Sequence, residues 1–320
     1  MCKRYFVFLL ILASITILLS GCSNHSVNRK NMETNQINNN ITPPTPVEAP
    51  QKPAVQEEKQ NPTSGPITAV PWENDSKFKG KQEEIGALVQ MAAFQTVLHD
   101  PLPGEEQNVH LAARILAGTV LQPGQVFSQN QSIGPYSQAR GFQKGPMYLG
   151  SQLKITIGGG VCKMASTLYN VAILCNLPII ERHAHGMPVP YVPYGQDATV
   201  SYGDKDFQFK NNLPYPILIW AQGVDSTLYV GFYGQNKPPR VEWHHQFLQK
   251  QEAQRIYHQN TSLPEGKEKI VAEGMDGAVV RSWVTVTNMD GTSSIRPLSS
   301  SSYLPMPYII EKRNVVSATQ

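Results

Sequence analysis

Gly158-Gly159-Gly160 leads into Val161-Cys162, and from there Val161, Ala165, Leu168, Tyr169 and Ala172 repeat at helical spacing. The sequence thus puts a cysteine at the start of a helix, behind a glycine turn. Glycines let the backbone turn tightly and leave peptide N–H groups pointing at whatever lies beside the thiol. The positive end of the helix dipole favours thiolate over thiol, and free N–H groups around Gly159 and Gly160 can hold an oxyanion. Those are the needs of a cysteine acyl-transfer enzyme. A small buried residue under a glycine turn gives the same local pattern, so the motif alone leaves both readings open.

A nucleophile needs a base. Glu181-Arg182-His183-Ala184-His185 follows the helix, and on a strand the period of two puts Glu181, His183 and His185 on one face. Either histidine could take the Cys162 proton, with Asp197 as the nearest downstream acid to orient it. His185 is preferred because it lies further from the charged Glu181-Arg182 pair and next to Gly186, where a turn can bring it toward the helix start. The bland alternative is a surface strand with two ordinary histidines. A rival is a zinc set, since His-x-His with a cysteine and an aspartate is acceptable to that metal, although the main expectation is a site with no metal and no cofactor. Cys175 falls thirteen residues beyond Cys162, roughly 20 Å along a helix and beyond disulfide reach, and reads as core. His110, His244, His245 and His258 read as structural or solvated. Met147-Tyr148-Leu149 and Tyr191-Val192-Pro193-Tyr194 could line a groove.

The elements that must position these residues read as helices first and an antiparallel sheet after, an α+β fold. Helices are expected over 82–99, from Ile85, Leu88, Val89 and Ala92, and over 106–117, stopped by Gly118. Leu121-Gln122-Pro123-Gly124 is a turn. Beyond Pro178, short runs at 179–180, 199–202, 207–209, 217–220 and 228–233 read as strands. Pro238-Pro239 marks a boundary. A poorly patterned stretch to about Leu263 leads to alternating runs such as Val279 to Val286, expected to form a small all-β module.

The first residues set the expected location. Lys3-Arg4, an apolar run from Tyr5 to Leu19 and then Ser20-Gly21-Cys22 have the form of a lipoprotein signal peptide over 1–21, with Cys22 left to carry lipid. Fifteen apolar residues at ~1.5 Å each would cover only about two thirds of a hydrocarbon core. From Ser23 to Pro66 there is no aromatic residue, and Asn, Gln, Pro and Glu dominate, so 22–67 reads as a disordered tether. The net charge of +3 falls to +1 without Lys3 and Arg4, and no block of like charge points to nucleic acid. Four cysteines, two of them in the signal and at the lipid site, make no disulfide framework. The expected layout is therefore signal 1–21, tether 22–67, a main domain 68–238, and linker with β module 239–320.

Several motifs together resemble the VanW family in order and spacing. They are Leu111-Ala112-Ala113, Gly118 to Ser128, Gly158 to Cys162, Ser166 to Asn170, Glu181 to His185, Asp197 to Val200, and Asp206-Phe207, spanning roughly residues 85 to 235. The segment from Ala272-Glu273-Gly274 to Pro307 looks like a small glycine-containing β module found on wall proteins of Gram-positive bacteria. The resemblance implies an L,D-transpeptidase-like cysteine acyltransferase acting on peptidoglycan stem peptides in a cell-wall and antibiotic-resistance context. It implies Cys162 as nucleophile, His183 and His185 as the histidine pair and Asp197 as the acid. Lys163, Met164, Gly186 and Gln196 depart from the family's usual Gln, Val, Ser and Arg. The expected partners are peptidoglycan and, through the lipid on Cys22, the outer face of the cytoplasmic membrane. The alternatives are a non-catalytic peptidoglycan-binding lipoprotein and a zinc hydrolase of wall peptides.

Overall fold

The structure is a computed structural model, and it describes residues 63–313 apart from 100, 102, 150 and 151. The expected signal peptide, the lipid-bearing Cys22 and nearly all of the tether lie outside the described residues.

The chain begins with β1 (Gly65–Ile67), α1 (Ser76–Ile85), β2 (Val89–Val97), α2 (Pro103–Leu116), β3 (Thr119–Leu121) and β4 (Val126–Ser128). A short α3 (Gln129–Ser132), the hairpin β5 (Lys144–Leu149) and β6 (Gln152–Ile157), and α4 (Cys162–Leu174) follow. Next come β7 (Ile179–Glu181), β8 (Gln208–Lys210), β9 (Ile217–Val224) and β10 (Thr227–Gly234). The tail holds β11 (Arg240–Gln251), β12 (Arg255–Gln259), β13 (Glu268–Ala272), β14 (Gly277–Thr287), β15 (Ser293–Pro297), β16 (Ser301–Tyr303) and β17 (Tyr308–Lys312).

The fold is α+β, with almost all strand pairing antiparallel, as the sequence predicts. A five-stranded sheet runs β1-β2-β10-β9-β3, so its centre is built from both ends of the main domain. Helix α4 packs on β2 and β10. It is apolar nearly all round, with Met164 to Ile173 buried without interruption, as befits a helix enclosed by its neighbours. A buried 2.7 Å hydrogen bond between the hydroxyls of Thr96 and Thr167 ties β2 to α4.

One expected helix is corrected. Residues 82–99 are not a single helix: α1 stops at Ile85 and the chain re-enters as β2. Asp75 caps the start of α1, accepting from the N–H groups of Lys77 and Phe78, and Gly86 ends it at φ 67°, the left-handed turn that glycine makes without Cβ strain. Ile85, Leu88 and Val89 satisfied a helical period only by running across that stop. The strand that follows is held on both sides, by β1 and β10, and buries Met91, Ala93, Phe94 and Val97.

The stretch beyond Pro239 is also more ordered than its pattern suggests. Strand β11 pairs along nearly the whole of β14, from Arg240 opposite Thr287 to Gln251 opposite Gly277. Strand β14 carries β15 and β16 on its other edge, and β12, β17 and β13 form a separate three-stranded sheet. The tail shares a core with the main domain. Val284 and Val286 of β14 belong to the same apolar core as Tyr169, Phe207 and Phe232, and the Trp243 ring of β11 meets the Tyr169 ring edge-on at 5.7 Å.

Candidate active site

Cys162 opens α4, as the glycine turn predicts. Gly158 and Gly160 adopt φ of 79° and 99°, and a Cβ on Gly160 would fall 2.7 Å from Cγ of Glu105. Gly159 has a different reason to be glycine, since a Cβ there would run into the Gly145 carbonyl. Asn108, fully buried on α2, locks the turn by donating to the carbonyls of Gly159 and Gln143 at 2.8 and 2.9 Å.

Of the two glycines expected to hold an oxyanion, Gly159 is corrected: its N–H turns back to the Thr156 carbonyl at 3.3 Å. The N–H groups of Lys163 and Met164 are likewise spent on Gly160 and Val161. Gly160 stays beside the thiol. A donor with no role in the sequence reading is Thr199, whose hydroxyl lies 3.3 Å from the Cys162 sulfur.

His185 and Asp197 come together with Cys162. The loop after β7 turns at Gly186, so His185 points inward, and it is buried. Its Nδ1 meets Asp197 Oδ2 at 2.7 Å and its own N–H donates to the same oxygen at 2.7 Å; the ring and the Cys162 thiol line one cleft, near enough that each shifts the other's pKa. Burial disfavours an imidazolium, but Asp197 and the sulfur outweigh it and raise the ring's pKa to about 9. Burial likewise raises the thiol, and the hydrogen bond and charge of His185, with Thr199, bring it down to about 7. Asp197 falls to about 2: burial opposes ionisation, and His185, the Arg182 guanidinium and the Tyr303 hydroxyl overcome it. Each of the three groups is thus shifted toward its charged form, thiolate, imidazolium and carboxylate, as a nucleophile–base–orienter arrangement needs.

His183 is not part of this set. It forms one isolated bridge with Thr199, and its side chain, partly exposed, pairs with Glu181 at 2.9 Å. The strand face expected to carry Glu181, His183 and His185 together breaks because β7 ends at Glu181, so His183 and His185 do not share a strand face. The zinc set of both histidines, Cys162 and Asp197 is accordingly not assembled, and among the described residues no three His, Cys, Asp or Glu side chains are grouped as a metal would need.

Asp197 is held from four directions. Besides His185, Arg182 donates to its Oδ1 at 2.9 Å and Tyr303 to the same oxygen at 2.5 Å. Tyr303 lies on β16, 106 residues away in sequence. Ser301, on the same strand, accepts from Arg182 at 2.8 Å. The tail therefore contributes to the site.

In front of the thiol lies a cleft of about 770 Å³. Tyr136, Tyr202, Pro135, Met147, Pro190 and Tyr191 give it apolar walls. Tyr136 is fixed by Asn130 and Gln129, and Asn130 is anchored in turn by its N–H to Asp206 at 2.9 Å. Lys163 and Glu105 form an ion pair at the cleft, with the Lys163 ammonium 5.0 Å from the Tyr191 ring centre. Gln196 is turned away toward His245, at 3.1 Å, and does not line the cleft. Cys175 is buried at the end of α4 and its thiol is pushed up by burial. His110, His244 and His245 bond to Asp225, Thr285 and Ser282, as structural histidines do.

These features define an α+β domain in which a helix-start cysteine stands beside a histidine–aspartate pair at one cleft. A family model described as "VanW like protein" matches residues 104–233, the stretch that supplies all three. The chain is 33% identical over 147 residues to the uncharacterized protein YoaR of Bacillus subtilis, covering 46% of this chain and 48% of that protein. It is 29% identical over 139 residues to the vancomycin B-type resistance protein VanW of Enterococcus faecalis, covering 42% and 50%. The chain thus spans about half the length of the curated relatives it matches. Among solved structures, the IgA1 protease G5 domain aligns with 25% of this chain and 96% of its own length, at 25% identity and a TM-score of 0.15.

Proposed function

We propose that this protein is a cell-envelope cysteine acyltransferase acting on peptidoglycan stem peptides, L,D-transpeptidase-like. The observation that carries the reading is the His185 ring held at 2.7 Å by buried Asp197 and lining the same cleft as the Cys162 thiol. In this reading the Cys162 thiolate attacks the carbonyl carbon of a donor stem peptide, giving a tetrahedral oxyanion. The His185 imidazolium protonates the leaving amine as the C–N bond breaks, and a thioester remains. A neighbouring stem amine attacks the thioester, neutral His185 takes its proton, and the thiolate leaves as the cross-link forms. Thr199 stands where it can donate to sulfur, or to the oxygen as it becomes charged. The wall as the place of action is supported by the name of the Enterococcus relative, and attachment to the membrane by the Cys22 motif.

Intact-mass analysis after incubation with muropeptides tests the reading. An acyl adduct on Cys162 is expected, and a chain that turns over muropeptides with Cys162 replaced by Ala would overturn it. The second reading, binding of peptidoglycan without turnover, is favoured by one observation: the backbone donors of Gly159, Lys163 and Met164 are all committed within the turn. It predicts retention on purified wall with no adduct.

A further inference from the structure

The hydroxyl of Tyr303 makes two hydrogen bonds, and both go to the segment that carries the acid of the site. It donates to Asp197 Oδ1 at 2.5 Å and accepts from the N–H of Gly195 at 2.8 Å. The ring is buried, packed edge-on against Tyr194 at 5.4 Å and clustered with Ala278, Val280 and Ala184. Nothing else in the apolar cluster needs a hydroxyl. Strand β16 is pinned to the same region by the Leu304 N–H on the Gly186 carbonyl at 2.8 Å and by Ser301 on Arg182.

The acid has two carboxylate oxygens with different tasks. Oδ2 takes both bonds from His185, and Oδ1 takes Arg182 and Tyr303. A carboxylate held at one oxygen can still rotate about its Cβ–Cγ bond. Two donors on Oδ1, arriving from different parts of the chain, fix the plane and therefore the direction in which Oδ2 meets the imidazole. Arg182 is itself oriented by the Asp197 and Gly195 carbonyls and by Ser301.

We propose that Tyr303, backed by Ser301 through Arg182, is a positioning residue for the site: the β tail completes it by fixing the plane of the Asp197 carboxylate and, through it, the His185 ring that faces Cys162. This rests on the reading of Cys162 as nucleophile. The charged and titratable groups around the pair are Arg182, Tyr303 and Tyr169 at Asp197, and Cys162 at His185, with Tyr136 close to the sulfur.

The test uses the full chain and needs no wall substrate. Alkylation of Cys162 by iodoacetamide is followed against pH, with folding checked by circular dichroism. The wild-type rate should rise with a midpoint near 7. In Tyr303→Phe, which keeps the ring, the midpoint should move up toward the ~8.5 of free cysteine, and in Ser301→Ala it should move less in the same direction. Val280→Ala, which removes apolar contact from the same cluster, should lower the melting temperature yet keep the wild-type midpoint. A folded Tyr303→Phe with the wild-type midpoint overturns the proposal. If Tyr303→Phe does not fold, Ser301→Ala decides, and an unmoved midpoint there overturns it equally. A wild-type midpoint already at the free-cysteine value would instead strike the nucleophile reading itself, independently of Tyr303.

Discussion

Lys163, the residue after the nucleophile, is paired across the cleft with Glu105 from the first turn of α2, and both side chains are largely withdrawn from solvent. Breaking such a pair from one side leaves a partly buried charge alone, which costs on the order of 3 kcal/mol, whereas removing both charges costs far less. Glu105→Gln should therefore lower unfolding stability in denaturant by about that amount, and Glu105→Gln/Lys163→Gln should recover most of it. A double variant as unstable as the single one would show that the pair is not the source of the effect.

The thiol and the imidazole set the pH dependence. Thiolate forms as pH rises through about 7, and the imidazolium loses its proton as pH passes about 9. Transfer needs both charges, so turnover should follow a bell between those limbs, falling on the acid side as the thiol reprotonates and on the alkaline side as His185 empties. Cys175, buried and raised, should stay unmodified by iodoacetamide in the folded chain across the same range. Stopped-flow alkylation and muropeptide turnover across pH check both limbs.

Removing the base and removing the acid should look different. His185→Ala should slow acyl transfer by a factor on the order of 10² to 10⁴ with modest loss of stability. Asp197→Asn strands the buried Arg182 cation, so it should cost a further 3 to 5 kcal/mol or about that. Asp197 is lowered on folding, from ~3.9 in a free chain to about 2. Its stabilisation is present above about pH 4 and disappears as pH falls through the folded value. Acid unfolding of the wild type should steepen between about pH 4 and 2, and that portion should be missing in Asp197→Asn. Chelator should leave turnover unchanged. Loss with chelator and return with Zn²⁺ would reinstate the metal reading.

The glycines of the turn are separable. Gly159→Ala drives a Cβ into backbone at Gly145, and Gly160→Ala meets Glu105 with φ at 99°. Both should lose several kcal/mol, about 2 or more, or fail to fold. A Cβ at Gly186 meets nothing within 4 Å, so Gly186→Ser should stay within ~0.5 kcal/mol of wild type. Thermal melts of the three variants give the order.

Location has its own test. With lipid on Cys22 the mature chain should partition with membranes, and Cys22→Ser should release it or block processing. Processing and retention like the wild type would remove the lipoprotein reading.

Much of the site could be read from sequence because it is local. The glycine turn and the helical period after Val161 locate Cys162 at a helix start, and Gly186 next to His185 marks the turn that brings the ring inward. Other parts resisted for identifiable reasons. The apolar spacing of Ile85, Leu88 and Val89 fits a helix until the left-handed Gly86 is taken as a stop. Trp243, His244 and His245 have no clean alternation, and β11 exists because β14, some forty residues later, pairs with it. His183 and His185 are indistinguishable by type, and only the end of β7 separates one facing Glu181 from one facing Asp197. Tyr303 carried no local sign at all, because its partner is supplied by tertiary folding.

Because Val284 and Val286 share the core that seats α4, the order in which the chain is made matters. A ribosome delivers Cys162, His185 and Asp197 long before Val284 and Tyr303, at roughly 5 to 20 residues per second. During that interval the nascent chain holds all three reacting groups but neither the finished core beneath them nor the last donor to the carboxylate. If Tyr303 positions Asp197 as proposed, the His185 ring reaches its final orientation only when β14 and β16 dock.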